Sequence, residues 1–359
     1  MSMNRAIALD RLGAIVEQGK ASAATTVQHV MAAVPADYIA RSSALRFETG
    51  DERGLTVGIP NGESFRVHNH ALGQVSQHLS IPGAYVRELV DGAPWQRALA
   101  RTVLTEHASH DERRNLLRVV TPADGRRELR GFLSDRYRRL DSRPLLDAFF
   151  QAVQRVGALP SWGSVTDTRV SVRVILPEVM EPTPGELIVA GIDWHNSDFG
   201  AGRFSLSAFN LRLVCNNGMV GADALKQIHL GRQLGESIEW SRETLQRDTR
   251  TMVSATHDVV KQLLSPESRE RTAEQVRKAN EAGLSTGELS RRLRTLSKDE
   301  SRRVLEAFEG PDVVNLPPTQ TAWRASQALA WVAQTLDGDR RVELERLAGA
   351  ITEAPRAAA

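Results

Sequence analysis

The chain has 359 residues with 41% hydrophobic and 25% charged side chains, a composition that supports a buried core and either two domains or one domain with a helical appendage. Its 46 basic and 44 acidic residues leave a net charge of +2, so overall charge marks no nucleic-acid partner, and the apolar runs fall short of the roughly 20 residues a membrane span needs. The single cysteine, Cys215, excludes an intramolecular disulfide framework and a Cys-based zinc site; charges spread through the N-terminal stretch argue against a secretory signal, which makes a cytoplasmic location the expectation.

In chain order, residues 3–18 and 24–33 read as two short amphipathic helices, with Leu9, Leu12, Ile15 and Val16 at helical spacing. Residues 43–67 change to short strands with Gly and Asn-Gly turns, followed by helices over about 71–79 and 82–89. Pro82 suits the first turn of the second helix, where an N–H is not needed. Between Arg113 and Arg143 stand ten arginines against four acids, the most basic stretch of the chain. Within it, residues 115–134 predict a hairpin turning at 122–125, and residues 142–157 predict a helix. Strand-like runs follow at 165–176, 187–193 and 204–214. From about residue 236 the pattern is helical, with 357–359 as a frayed tail and no internal repeat anywhere.

The expected division is a helical segment over 1–44, an α+β core over 45–235 and a helical region over 236–359, with the last boundary near Gly235. The expected fold class is α+β: an antiparallel β-sheet with helices on one face, followed by an all-helical C-terminal region.

Side chains alternate across a strand, so each run splits into two faces. Val170, Val172, Val174 and Leu176 form an apolar set, opposed by Arg169, Ser171 and Arg173. Phe209, Leu211, Leu213 and Cys215 oppose Asn210, Arg212 and Asn216, while Arg130 and Phe132 share a face of the hairpin. An arginine-lined sheet surface of this kind suits a sugar-phosphate backbone, with Phe132 and Tyr137 available to stack on bases. The alternative is an ordinary solvated face in a chain whose 41 arginines and five lysines reflect a G+C-rich genome.

Cys215 falls in phase with three apolar residues and reads as a buried small hydrophobe, followed by a turn at Asn216, Asn217 and Gly218. His68-Asn69-His70 offers two imidazoles on one strand face for a metal, or a helix cap at Asn69 or His70. The stretch DWHNSDFGAG, residues 193–202, gathers Asp193, His195, Ser197 and Asp198, either as an enzyme-like cluster or as a long turn. No Walker loop, dinucleotide fingerprint, HExxH or GxSxG motif occurs, so no cofactor and no standard catalytic machinery are expected. In the C-terminal part, dense opposite charges flank an apolar stripe at Leu289, Leu293, Leu296 and Leu305, which is expected to pack on the core or against a second copy of the chain.

Several segments together resemble a known family. FRVHNHALGQVSQHLSIPGAYVRELV, RRELRGFLSDRYRRLDSRPLLDAF, NSDFGAG followed by LRLVCNNGMV, and TQTAWRASQALAWVA occur in the order seen in the phage/plasmid-like protein family of bacterial mobile elements. The resemblance covers roughly residues 45–335 and rests mainly on FLSDRYRRLD and RLVCNNGM. The late segment lacks the Asn and His that the family tends to place near its tryptophan, and no role is carried over to it. The resemblance implies a setting in phage or plasmid DNA and assigns no catalytic residue.

The expectation is therefore a phage- or plasmid-encoded protein that binds single-stranded nucleic acid, as a strand-annealing or DNA-protecting accessory factor, with single-stranded DNA and further copies of itself as partners. The residues expected to carry binding are Arg130, Arg136, Tyr137, Arg138, Arg139, Arg169, Arg173 and Arg212. Two other readings stand beside it: a metal-dependent enzyme using the 193–198 stretch on nucleic acid, and a module whose charged helices inhibit a host defence protein.

Overall fold

The computed structural model describes residues 5–49, 54–122, 125–215, 217–227, 241–310, 315–336 and 338–353. The expected boundary at Gly235, Asn216, part of the 122–125 turn and the 357–359 tail lie outside these residues. The chain is α+β, with antiparallel-rich sheets and an all-helical C-terminal region. No helix among the described residues is long and apolar enough to cross a membrane.

The strands divide between two sheets. The first contains β1 (Ala36–Arg41), β2 (Arg46–Glu48), β3 (Thr56–Gly58), β4 (Ser64–Val67), β5 (Arg114–Val120) and β6 (Glu128–Ser134), in the order β1-β5-β6-β4-β3-β2. The β5–β6 hairpin forms as the sequence predicts, and the pairing of β4 with β6 is parallel. One parallel pair requires a crossover, supplied by α2 (Asn69–His78), α3 (Gly83–Asp91) and α4 (Pro94–Ser109). Phe65, Leu72, Val75, Leu89, Leu104, Leu117 and Leu129 bring these helices and strands into one core. At the start of α2 the cap is His68, whose Nδ1 accepts from the His70 N–H at 3.2 Å; Asn69 and His70 are already helical.

The second sheet is an antiparallel meander of β7 (Leu159–Val165), β8 (Val170–Met180), β9 (Ile188–Asn196), β10 (Phe204–Arg212) and β11 (Asn217–Gln227). Strand alternation turns Val170, Val172, Val174, Ile192, Trp194 and Leu206 toward α5 (Ser142–Arg155) and α6 (Arg242–Leu263), where Leu145, Phe149, Met252 and Val260 meet them. Burial of each such large side chain contributes about 1.5–3 kcal/mol.

The opposite face is also covered. Ile175, Val189, Phe209 and Leu211 pack on Ala8, Leu12 and Val16 of α1 (Arg5–Ala32), whose far end places Val30 in the α5/α6 core. This one helix replaces the two expected, and it lies along the edge strand β7. Two glycines permit that approach: a Cβ on Gly19 would sit 2.4 Å from the Ser161 Cα, and one on Gly163 would sit 2.8 Å from the Ala23 Cα. Within the expected segment over 1–44, β1 joins the first sheet and α1 packs against the second.

The C-terminal helices α7 (Pro266–Glu281), α8 (Thr286–Arg292), α9 (Lys298–Glu309), α10 (Ala322–Ala333) and α11 (Gly338–Thr352) surround α10, nearly all of which is buried. Leu289 and Leu293 of the predicted stripe join Val304, Phe308, Trp323 and Leu329 in this core, with Leu296 and Leu305 at its margin. Buried Arg324 donates to the Phe308 carbonyl at 2.6 Å and to those of Ala307, Gly310 and Pro317, placing a cation at the C-terminal end of α9, where the helix dipole favours it.

Candidate anion-binding site

The two arginines that face inward from the middle sheet strands are internal. Arg173 is 2% exposed, with its guanidinium between the rings of Trp162 and Phe209 at 4.9 and 4.6 Å. Its Nε donates to Asp193 Oδ1 at 2.8 Å and its Nη2 to Glu345 of α11. Arg212, 4% exposed, donates to both carboxylate oxygens of Glu186, which also accepts from the indole of Trp323. These corrections have one cause: helices cover both faces of the second sheet, so an arginine there must find carboxylates within the protein. No arginine-lined sheet surface faces solvent at these positions.

The other expected residues disperse. Arg130 is buried, its Nε on Glu128 at 2.8 Å and its Nη1 near the Asp167 carbonyl at 3.4 Å. Phe132 is buried in the first core against the edge of His78 and is not a stacking platform. Tyr137 is half-buried and donates to the Ser197 carbonyl at 3.3 Å; burial raises its pKa. Arg138 pairs with Asp248 on α6, and Arg139 with Asp37 on β1 at 2.6 Å. Arg136 is exposed, and Arg169, at the turn between β7 and β8, is half-buried.

The 193–198 stretch does not converge on one point either. Asp193 faces Arg173 inside the protein, and Ser197 Oγ donates to the Thr168 carbonyl at 2.7 Å while accepting from the Ala201 N–H at 2.9 Å. Asp198 turns to α5, where Oδ1 accepts from the Ser142 N–H at 2.7 Å and from its hydroxyl at 2.8 Å, a carboxylate placed at a helix N-terminus. Burial nevertheless raises its pKa to about 6, against the pull of Arg118. Arg118, which sequence pattern did not single out, joins the two sheets: it donates to Asp37 at 3.0 Å, to the Asp198 carbonyl at 2.8 Å and to Asp141 at 2.6 Å. Cys215 lies in the turn after β10, half-buried, its sulfur 3.3 Å from the Arg212 guanidinium; burial raises its pKa, opposite to what a reactive thiol needs. Asn217 and Gly218 begin β11 and do not extend the turn.

His195 behaves differently. It stands opposite Ser171 in the β8–β9 register, and its Nδ1 lies 2.7 Å from the serine hydroxyl. That contact leaves Nε2 directed at Gly202, where an added Cβ would lie 3.4 Å from it and 3.8 Å from Arg169 Nε. Around this point His195, Arg169, Gly202, Arg203 and Arg346 line a cavity of about 150 Å³, whose remaining wall is Asp339, Val342 and Glu343 in the first two turns of α11. Arg169 forms an ion pair with Asp339, and Arg346 reaches toward Ser205 at 3.4 Å. Burial lowers the pKa of His195; Asp193 opposes this, and Arg346 and Arg169 reinforce it.

Three guanidiniums and an imidazole from four separate parts of the chain therefore meet at one hollow. Three larger hollows differ from it. One, of about 850 Å³ beside α7, is lined by Glu267, Glu270 and Glu274 with Arg271 and Lys278; a second, of about 600 Å³ between α1 and α5, is mainly apolar; the third, of about 440 Å³ at α8 and α9, sets Arg294, Lys298 and Arg302 beside Glu306 and Glu309 with no imidazole. His68 and His70 do not form a metal pair, because His68 lies 3.4 Å from Asp167 and His70 contacts the Phe199 carbonyl at 3.0 Å. Among the described residues no group of three or more His, Cys, Asp or Glu is arranged to hold a metal. Of the expected binding residues only Arg169 lines the cavity. Arg203 follows the DWHNSDFGAG stretch directly and was within reach of sequence reasoning, whereas Arg346, far along the chain, carried no local signal. No protein-family profile, curated protein or solved structure matches this chain.

Proposed function

We propose that the protein binds single-stranded nucleic acid, with the cavity formed by Arg169, His195, Arg203 and Arg346 as its principal phosphate contact. The observation that carries this reading is the convergence of three arginines and a histidine on a hollow large enough for one phosphate group. Guanidinium forks match phosphate oxygens and keep their charge at every physiological pH. The segment order resembling the phage/plasmid-like proteins adds a setting in phage or plasmid DNA. Exposed Arg136 supplies a further cation for the backbone, whereas Arg173 and Arg212 serve the fold.

The test is binding of labelled single-stranded and duplex oligonucleotides to the purified chain at two salt concentrations without added metal. The proposal predicts preference for the single strand and weaker binding at the higher salt, since phosphate contacts release counterions. Absence of binding at low salt contradicts it.

A second reading is favoured by His195 itself: an imidazole with lowered basicity, with Nδ1–H on Ser171 and Nε2 free to accept a proton, is suited to take the proton of a water that attacks a phosphate ester in the hollow, the strand's ester oxygen leaving. Strand cleavage by the wild-type chain that disappears in His195→Ala would support it; cleavage surviving that change would remove it.

A further inference from the structure

We infer that the cavity at Arg169, His195, Arg203 and Arg346 takes a terminal phosphate monoester, the phosphorylated end of a strand, in preference to an internal phosphodiester. This rests on the nucleic-acid reading above and specifies which part of the ligand enters the site.

Size is the first argument. A hollow of about 150 Å³ accommodates one phosphate group and is about half the roughly 300 Å³ at which sites for whole small molecules begin, so a sugar and base stay outside it.

Donor count is the second. A monoester presents three acceptor oxygens and nearly two negative charges. A diester has one fewer unesterified oxygen and half the charge. Three guanidiniums, each a planar fork of donors, and the inward-facing Nε2 of His195 match the monoester better.

Lining is the third. The β7–β8 turn with Arg169, strand β9 with His195, the segment carrying Gly202 and Arg203, and helix α11 with Arg346 border a hollow that is partly open to solvent. A chain end sets its phosphate in such a hollow with a single ester bond leading out. Asp339 already occupies Arg169 as an internal carboxylate, so an entering phosphate exchanges one anion for a more highly charged one.

The experiment compares one single-stranded oligonucleotide with a 5′-phosphate, a 3′-phosphate or neither, together with inorganic phosphate and a mononucleotide, on the wild-type chain and on Gly202→Val. Gly202 does not have the positive φ that only glycine tolerates, so the substitution fills the hollow without backbone strain, and thermal melting checks its fold. The inference predicts that one terminal phosphate tightens binding about tenfold or more and that Gly202→Val abolishes the gain. Equal affinity with and without a terminal phosphate overturns it while leaving the nucleic-acid reading intact. Binding of inorganic phosphate or the mononucleotide alone, lost in Gly202→Val, retains the monoester site and overturns the nucleic-acid reading. No binding of any of these ligands overturns both.

Discussion

Ser171 Oγ and His195 Nδ1 lie 2.7 Å apart as a directly opposed pair on neighbouring strands, and this contact decides which nitrogen of the imidazole faces the cavity. With Nδ1 held on the serine, Nε2 is the atom available to an anion. Burial is the main reason the ring favours its neutral form.

The first prediction concerns pH. The groups facing His195 are Asp193 on its own strand, Arg169 from the β7–β8 turn, Arg203 from the adjoining loop, and Asp339, Glu343 and Arg346 from α11. Its pKa lies below the ordinary histidine value, so the ring is neutral at pH 7 and gains charge only as pH falls through that lowered value. A bound anion stabilises the charged form, so affinity should rise on acidification. Sulfate is the suitable probe because its charge is constant over this range, unlike that of a phosphate monoester, whose second pKa is roughly 6. Calorimetric titration from pH 8 downward should show tightening in the wild type as pH falls through the lowered His195 value, and a flat profile over the same range in His195→Gln.

The second prediction concerns Asp339, which competes for Arg169. The pair is partly exposed, with the Asp339 side chain at 49%, so it is worth only about 0.2–1 kcal/mol. Asp339→Asn should therefore strengthen sulfate binding by a factor of about 1.4 to 5 in the same titration. Weaker binding in this variant would mean that Asp339 orients Arg169 for the ligand.

The third prediction separates structural arginines from binding ones. Arg173 compensates two buried carboxylates, Asp193 and Glu345, and removing one partner of a buried ion pair costs about 3–5 kcal/mol. Arg173→Met should lower the unfolding free energy from denaturant titration by that amount. Molecules that remain folded should bind anions within a few-fold of the wild type, because Arg173 does not line the cavity.

The fourth prediction concerns Asp198. Its folded-state pKa, about 6, lies above the ordinary aspartate value, so the native state binds more protons than the unfolded chain between roughly pH 4 and 6. The stabilisation from the protonated carboxyl is complete below the unfolded value and is lost as pH rises through about 6. Asp198→Asn keeps an acceptor for Ser142 without the ionisation. Its melting temperature relative to the wild type should improve as pH rises from 4 to 7; a constant difference would show that Asp198 does not titrate in this range.

Much of the framework was legible because strand alternation and helical spacing are local properties. The faces of β8 and β10, the β5–β6 hairpin and the stripe at Leu289 and Leu293 could be read directly. What covers a face is not local. Arg173 opposite three valines looked solvent-facing, yet Glu345, 172 residues later, brings α11 over it. For the same reason Arg169 emerged in the basic sheet set while its cavity partner Arg346 did not. The strand β7 was obscured by Pro160 and Gly163, which weaken a strand signal and are tolerated on an edge sealed by α1. Cys215 looked in phase with β10 because alternation was extended past Arg212, where the strand ends.

The most direct test of the central claim is the salt dependence of single-stranded oligonucleotide binding in the wild type, in Arg169→Ala/Arg346→Ala, and in Arg173→Met as a structural control. Loss of the phosphate contact should weaken binding by about tenfold to a hundredfold and reduce the slope of log K against log salt by about 0.7 for each phosphate released. Arg173→Met should keep the wild-type slope. A slope in Arg169→Ala/Arg346→Ala equal to that of the wild type would contradict the assignment of the cavity as the phosphate contact.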